Sequence, residues 1–345
     1  MPSVNVVGLT LTDTNIDHGT AVLGVIAAKD DGKGTTGIAP DCSLYFSSVG
    51  DGSLDHTPSA ITTALGYLGA GDVMLLELQF EEARKTVPGQ IAYVPIEWYK
   101  PAYDRIVVAV GLGVTVVEAA GNGNQNLDDD FYSDPSVNAG HTPFLPANDS
   151  GAILVGAGEP AQGYGTPRSR CSFSDYGSTV DLQGWGRGVW TTGYGSALGS
   201  PFYDADGVNQ EYTGQFNGTS SASPVVAGAC VLLESAYKAK TGNVLSPEDV
   251  KQVLRSTGSP QQGNTSENIG PLPNVAAATG DILPTASGGS FRIHNEGQTS
   301  LSVNSLGLDQ AASWISWYPQ APFTIPANSY RTVTVFVDCA QAPSG

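Results

Sequence analysis

The chain has 345 residues, 43 of them glycine, with 40% hydrophobic and only 14% charged residues, which describes a globular, loop-rich fold with room for one large core and a small appendage. Thirty-three acidic against 15 basic residues give a net charge of −18, which argues against the basic face a nucleic-acid partner needs and suits an extracellular or salt-exposed protein. No apolar run reaches membrane-spanning length, and the opening Met-Pro-Ser-Val-Asn-Val-Val-Gly has neither the basic start nor the apolar core of a signal peptide.

In chain order, residues 4–11 are β-rich, and residues 18–28 read as a helix with nearly continuous apolar positions, closed by the loop 30–37. Residues 44–46 form a short strand, Thr57-Pro58-Ser59 opens a helix to about Gly69, and residues 72–78 read as a strand buried on both faces. Residues 81–97 make a polar excursion. Pro101 starts a helix to about Leu112, residues 114–120 form another buried strand, and short strands are expected at 153–156, 180–182 and 189–190. The small residues of Phe216-Asn217-Gly218-Thr219-Ser220-Ser221-Ala222-Ser223-Pro224 predict a tight turn into an apolar helix over 225–233, with Pro224 in its first turn. Ser246-Pro247-Glu248-Asp249 is an N-cap, a helix-opening proline and two first-turn acids, so a further helix runs to about Ser256.

Strands alternating with helices predict an α/β fold, a mostly parallel sheet with helices on both faces and a site at the carboxyl ends of its strands. Composition shifts near residue 280: a linker over 281–289 precedes the alternating pairs Phe291/Ile293, Leu301/Val303, Phe323/Ile325 and Val333/Val335/Val337. We therefore expect one domain over 1–280 and, over 281–345, a small antiparallel β-sandwich-like module of Ig-like character. Of the four cysteines, Cys230 falls in an apolar helix and reads as a small hydrophobe, Cys42 and Cys171 are candidates for a bridge that sequence alone does not decide, and Cys339 stands alone.

Three motifs occur in order: His18-Gly19-Thr20 at a helix start, Ala119-Ala120-Gly121-Asn122-Gly123 after a buried strand, and Gly218-Thr219-Ser220-x-Ala222-x-Pro224. Alone, Ser220 is an ordinary helix cap, His18 a surface polar group and Asn122 a turn residue. Together, and with Gly37-Ile38-Ala39-Pro40, Ile153-Leu154-Val155-Gly156-Ala157 and Ser172-Phe173-Ser174-x-x-Gly177 followed by Val180-Asp181-Leu182, they resemble the subtilisin-like serine proteases (subtilases) over roughly residues 4–257.

The resemblance implies a serine endopeptidase, with Ser220 as nucleophile, His18 as general base and Asn122 as oxyanion donor. It also implies a polypeptide substrate, no required cofactor, secretion, and a pro-region or upstream segment as a further partner. An esterase using the same nucleophile is an alternative. His56, His141 and His294 lack such context and read as surface residues. Glu77, Leu78 and Gln79 stand where subtilases carry a cleft-lining Ser-Leu-Gly, so they are expected to contact substrate, with Glu77 or Gln79 favouring basic or polar side chains. Glu118, just before Ala119, is a departure without an assigned role. Asn122-x-Asn124-x-Asn126-x-Asp128-Asp129-Asp130 is rich in hard oxygen ligands and makes calcium a candidate structural ion, against the plainer reading of a solvated polar loop.

One departure concerns the third member of the triad. Subtilases carry the orienting Asp at the end of a strand well upstream of the His motif, whereas only 17 residues precede His18, and Asp13 and Asp17 are the carboxylates on that side. Both read more simply as a loop acid or cap. The expectation is that residues 4–11 match the family's second strand, that the Asp-bearing first strand is absent and leaves a slot in the sheet, and that the chain is a catalytically impaired fragment or pseudoprotease unless that carboxylate is supplied.

Overall fold

The computed structural model describes residues 4–10, 16–50, 53–82, 92–161, 163–194, 211–282, 287–295, 297–307, 315–319 and 321–337. Asp13 and Cys339 lie outside the described residues. The elements run β1 (Val4–Gly8), α1 (Ile16–Ala27), β2 (Leu44–Ser48), α2 (Thr57–Leu65), β3 (Val73–Leu76), β4 (Gln79–Glu82), β5 (Ala92–Pro95), α3 (Lys100–Gly111), β6 (Thr115–Ala119), α4 (Asp130–Ser133), β7 (Ile153–Gly158), β8 (Leu182–Trp185), β9 (Val189–Thr192), β10 (Tyr212–Phe216), α5 (Thr219–Thr241), α6 (Pro247–Thr257), α7 (Val275–Ile282), β11 (Ser287–Asn295), β12 (Leu301–Val303), β13 (Ile315–Tyr318), β14 (Phe323–Ile325) and β15 (Ser329–Val337).

The chain divides into two compact units, Met1–Ala278 and Thr279–Gly345. In the first, β3, β6, β7 and β8 form a parallel sheet in that order. Every residue of β6 and β7 is buried, as strands covered on both faces must be. Successive side chains alternate faces: Val116 and Leu154 join a core with Ile61 of α2 and Ile106 of α3, while their neighbours Val117 and Val155 are equally buried against the opposite layer. That layer is α5, which packs on β3, β6, β7 and β8 and carries α1 against it. Contact there is close enough that a Cβ on Gly184 of β8 would come within 2.1 Å of the Ala222 carbonyl of α5.

β1 and β2 pair in parallel as a separate two-stranded sheet, and among the described residues no strand pairs with the free edges of β2 and β3. The polar stretch expected over 81–97 instead contains an antiparallel pair, β4 with β5, beginning at Gln79. Its strand character escapes the sequence because Gln79, Glu81 and Glu82 interrupt any apolar alternation. Pro224 also differs from expectation. α5 begins at Thr219, so Pro224 lies inside it, past the first turn, and has no N–H to give the carbonyl of Ser220 four residues back.

Cys42 and Cys171 are both free thiols, so the candidate bridge does not form. Cys171 is fully buried, and burial pushes its thiol up to about 12. His141 is buried rather than superficial, its Nε2 2.8 Å from the Glu97 carbonyl and its ring edge-on to Tyr103. In the second unit, β11, β15 and β13 form one antiparallel sheet and β12 with β14 another. They share a small core of Phe323, Ile325 and Val333, against which Ile293, Val303 and Trp317 pack.

Candidate active site

The turn between β10 and α5 is fixed before any chemistry is considered. Gly218 has φ +96°, a backbone state that side-chain-bearing residues rarely adopt, and a Cβ there would sit 3.3 Å from Asn122 Oδ1. Its N–H donates to the Gly186 carbonyl at 3.0 Å. The fully buried Ser221 hydroxyl lies 2.8 Å from the Trp185 carbonyl and 2.9 Å from the Gly218 carbonyl. Between these anchors Ser220 occupies the first turn of α5, half-buried, among backbone N–H groups with no partner inside the helix.

Asn122 follows β6 and reaches this turn across the sheet. Its Oδ1 accepts the Thr219 N–H at 2.9 Å and lies 3.2 Å from the Thr219 hydroxyl. Those contacts fix the amide orientation, so Nδ2 points away from Thr219 and donates to Gln79 Oε1 at 3.1 Å; the Asn122 backbone N–H donates to the same oxygen, also at 3.1 Å. Asn122 is thereby tied through its oxygen to the residue before Ser220, with its N–H₂ engaged by Gln79.

Glu77 approaches from the other side. Its Oε1 lies in short hydrogen-bond contact with the Ser223 hydroxyl, which is also 2.9 Å from the Thr219 carbonyl. Its Oε2 is buried without a partner in bonding geometry, and the Ser220 hydroxyl is the other polar side chain close enough to favour its charge. Burial outweighs both serines and raises the carboxyl to about 8. Gln79 faces Asn122 as described, while Leu78 packs against the core of the parallel sheet.

His18 stands in the first turn of α1, half-buried, its ring edge-on to Phe216 with centroids 6.0 Å apart. Phe216 ends β10, four residues before Ser220, and thereby links His18 to the Ser220 turn. β9 holds the helix start: the Thr192 hydroxyl donates to the Thr20 carbonyl at 2.9 Å and the Thr191 hydroxyl to that of Ala21. Burial lowers the His18 pKa below its usual 6.5, which keeps the imidazole neutral and able to take a proton at neutral pH. Asp17 accepts from the Tyr194 N–H at 3.4 Å, and among the described residues no carboxylate is hydrogen-bonded to His18.

The oxygen-rich stretch after Asn122 is engaged in hydrogen bonds. Asn124 Oδ1 accepts from Arg170 at 2.8 Å, Asn126 Oδ1 from the Asp128 N–H at 3.2 Å, and Asp129 Oδ1 from the Phe131 N–H at 2.9 Å, where it caps α4. Asp128 takes both the N–H and the hydroxyl of Ser178. These side chains build turns, and among the described residues no cluster of His, Cys, Asp or Glu is arranged to hold a metal ion. Glu118, without a role in the sequence, is buried on β6 and accepts the Glu97 N–H at 2.9 Å, tying the segment after β5 to the strand that leads to Asn122.

The Subtilase family (peptidase S8) matches residues 10–271. The chain belongs to this family of serine peptidases. Subtilisin DY of Bacillus licheniformis is 31% identical over 246 residues, 71% of this chain and 71% of that relative. Alkaline elastase YaB of Bacillus sp. (strain YaB) is 28% identical over 262 residues, but the match covers 55% of it, so the chain spans about half the length of some curated relatives. Among solved structures, a protease from Pseudoalteromonas arctica is 26% identical with a TM-score of 0.53, covering 76% of this chain and 70% of that one. Fervidolysin from Fervidobacterium pennivorans matches 98% of this chain and 50% of its own with a TM-score of 0.54; at 20% identity it shows the fold. The subtilase fold is therefore the α/β architecture of the first unit, joined here to small antiparallel sheets.

Proposed function

We propose that this subtilase is a serine endopeptidase that cleaves polypeptides through an acyl-enzyme on Ser220. His18, neutral by burial, takes the Ser220 proton as the hydroxyl attacks the scissile carbonyl and returns it to the leaving amine. Asn122 Nδ2 and the Ser220 backbone N–H receive the developing oxyanion, once the substrate carbonyl replaces Gln79 Oε1 on the amide. Water then repeats the sequence on the acyl-enzyme. No cofactor enters these steps, and a chelator is expected to leave the rate unchanged.

The observation that supports the reading is the bond from the Thr219 N–H to Asn122 Oδ1, which joins positions 97 apart and ties the Asn122 side chain to the residue before Ser220. Glu77, Leu78 and Gln79 are proposed to border the substrate cleft, with Gln79 yielding its place on the Asn122 amide to the substrate carbonyl and Leu78 supporting the segment from behind. We propose secretion as the setting, in keeping with the charge of −18; no described helix is long and apolar enough to cross a membrane. A pro-region or upstream segment is proposed as a partner, with the free edges of β2 and β3 available to it.

A second reading, a catalytically impaired form, is favoured by one observation: among the described residues His18 lacks a carboxylate partner to set its tautomer. Hydrolysis of a peptide p-nitroanilide by the purified chain, with Ser220→Ala as control, tests the proposal. Serine-dependent turnover supports it. Labelling of Ser220 by a fluorophosphonate without peptide turnover supports the impaired form, and turnover of p-nitrophenyl esters alone supports an esterase.

A further inference from the structure

The contacts around Ser220 close into a circuit. Gln79 Oε1 receives Asn122, Asn122 Oδ1 receives Thr219, the Thr219 carbonyl meets Ser223, and Ser223 meets Glu77, two residues from Gln79. Thr219, the residue before the nucleophile, is thus held at its N–H, its hydroxyl and its carbonyl. The protons around Ser223 suggest a state for Glu77. The Ser223 hydroxyl owns one proton and touches two acceptor atoms, the Thr219 carbonyl and Glu77 Oε1. The carbonyl has no proton to give, so the second contact is satisfied when Glu77 supplies one.

We propose that Glu77 is a positioning residue for the nucleophile, acting as a neutral carboxylic acid whose proton closes this circuit through Ser223 and Thr219. It rests on the reading of Ser220 as nucleophile and goes beyond it, since it assigns Glu77 to the nucleophile's support rather than to recognition of basic substrate side chains. The surroundings suit an uncharged acid. α5 presents the hydroxyls of Ser220 and Ser223, the two polar side chains that interact with Glu77. No charged side chain among the described residues contributes to the Glu77 environment. The raised carboxyl, at about 8, agrees with this and gives the sign of the pH effect. Below that pH the circuit is closed; above it the proton is lost, Ser223 turns toward the carboxylate, and a negative charge stands beside the forming oxyanion.

The test uses the full chain and measures the rate at which a fluorophosphonate labels Ser220 between pH 6 and 10. The wild type is expected to lose reactivity as pH rises through about 8. Glu77→Ala lowers the rate about tenfold at pH 7, the equivalent of one lost buried hydrogen bond. Glu77→Gln, which restores an N–H donor, recovers most of that loss and shows no alkaline fall. Ser223→Ala removes a group that favours the charged form, so its alkaline fall moves to higher pH. Infrared difference spectra of the folded chain at pH 7 should show a carboxylic-acid carbonyl band that Glu77→Gln lacks, a reading independent of turnover. Superimposable alkaline profiles of wild type and Glu77→Gln, a Gln variant as impaired as Ala, or absence of the acid band would each overturn the assignment of Glu77. Failure of the wild type to label Ser220 at any pH would instead overturn the nucleophile reading on which it rests.

Discussion

The two halves of the candidate site are held by different forces. On the nucleophile side, Thr219 and Asn122 are locked by directional hydrogen bonds of 2.9 to 3.2 Å that close through Gln79 and Glu77. On the base side, His18 is placed by its helix, by β9 hydroxyls on the carbonyls of Thr20 and Ala21, and by the edge of the Phe216 ring. Hydrogen bonds fix angles to within narrow limits, whereas ring packing fixes position and leaves rotation softer. Asn122 and the turn that carries Ser220 are therefore held in fixed orientation, and the orientation of the imidazole is the adjustable part.

The difference can be broken most severely at the centre. Ser220→Ala is expected to remove hydrolysis and labelling altogether, on the scale of about 10⁶ in kcat taken over from subtilisin itself; loss of the signal in both assays is the check. Asn122→Ala keeps the serine and base but removes the locked amide, and steady-state kinetics should show kcat falling by about 10²–10³ with a smaller change in KM, again a magnitude known from subtilisin. Phe216→Ala removes the ring that packs on His18 and loosens the base side first. It should slow turnover by about tenfold, while the fold, read by circular dichroism, persists.

A smaller, global effect separates the sides by pH. Glu97 and Glu118 are buried close together behind the Asn122 strand, and burial holds both carboxyls above the ordinary range. A folded-state pKa above the unfolded value means stability that is fully present below the unfolded pKa and is lost as pH rises through the folded one. The free energy of unfolding should therefore fall from pH 5 toward pH 9, by at most about 1.4 kcal/mol per pH unit for each group titrating, with thermal midpoints falling alongside, and Glu118→Gln should flatten that slope. Hydrogen exchange should locate the alkaline loosening at β6 and leave α1 unaffected.

The backbone placement of His18, Asn122 and Ser220 was legible in the sequence because each sits where a strand ends or a helix begins, so a short motif carries the local geometry. The alternating layers were legible for a similar reason: residues 114–120 and 153–156 are apolar runs too short for helices and too uniform for exposed strands. Contacts made over long separations were not. Glu77 meets Ser223 across 146 positions and Asn122 meets Thr219 across 97, and nothing local in Leu-Leu-Glu-Leu-Gln says that its acid turns toward α5. The Asn/Asp run after Asn122 reads two ways for a chemical reason: oxygen side chains that can ligate calcium are the same ones that cap turns, as Asn126 and Asp129 do. His141 carries no local sign of burial, since its partner is the carbonyl of Glu97, 44 positions away.

The most direct measurement is peptide mapping of the fluorophosphonate adduct as a function of pH. The account predicts a single adduct on Ser220, lost in Ser220→Ala, whose rate rises along an acid limb with its midpoint below pH 6.5, since burial lowers His18 and the base must be neutral to act. An adduct on another residue, or a Ser220 adduct whose acid limb is unchanged in His18→Ala, would contradict it.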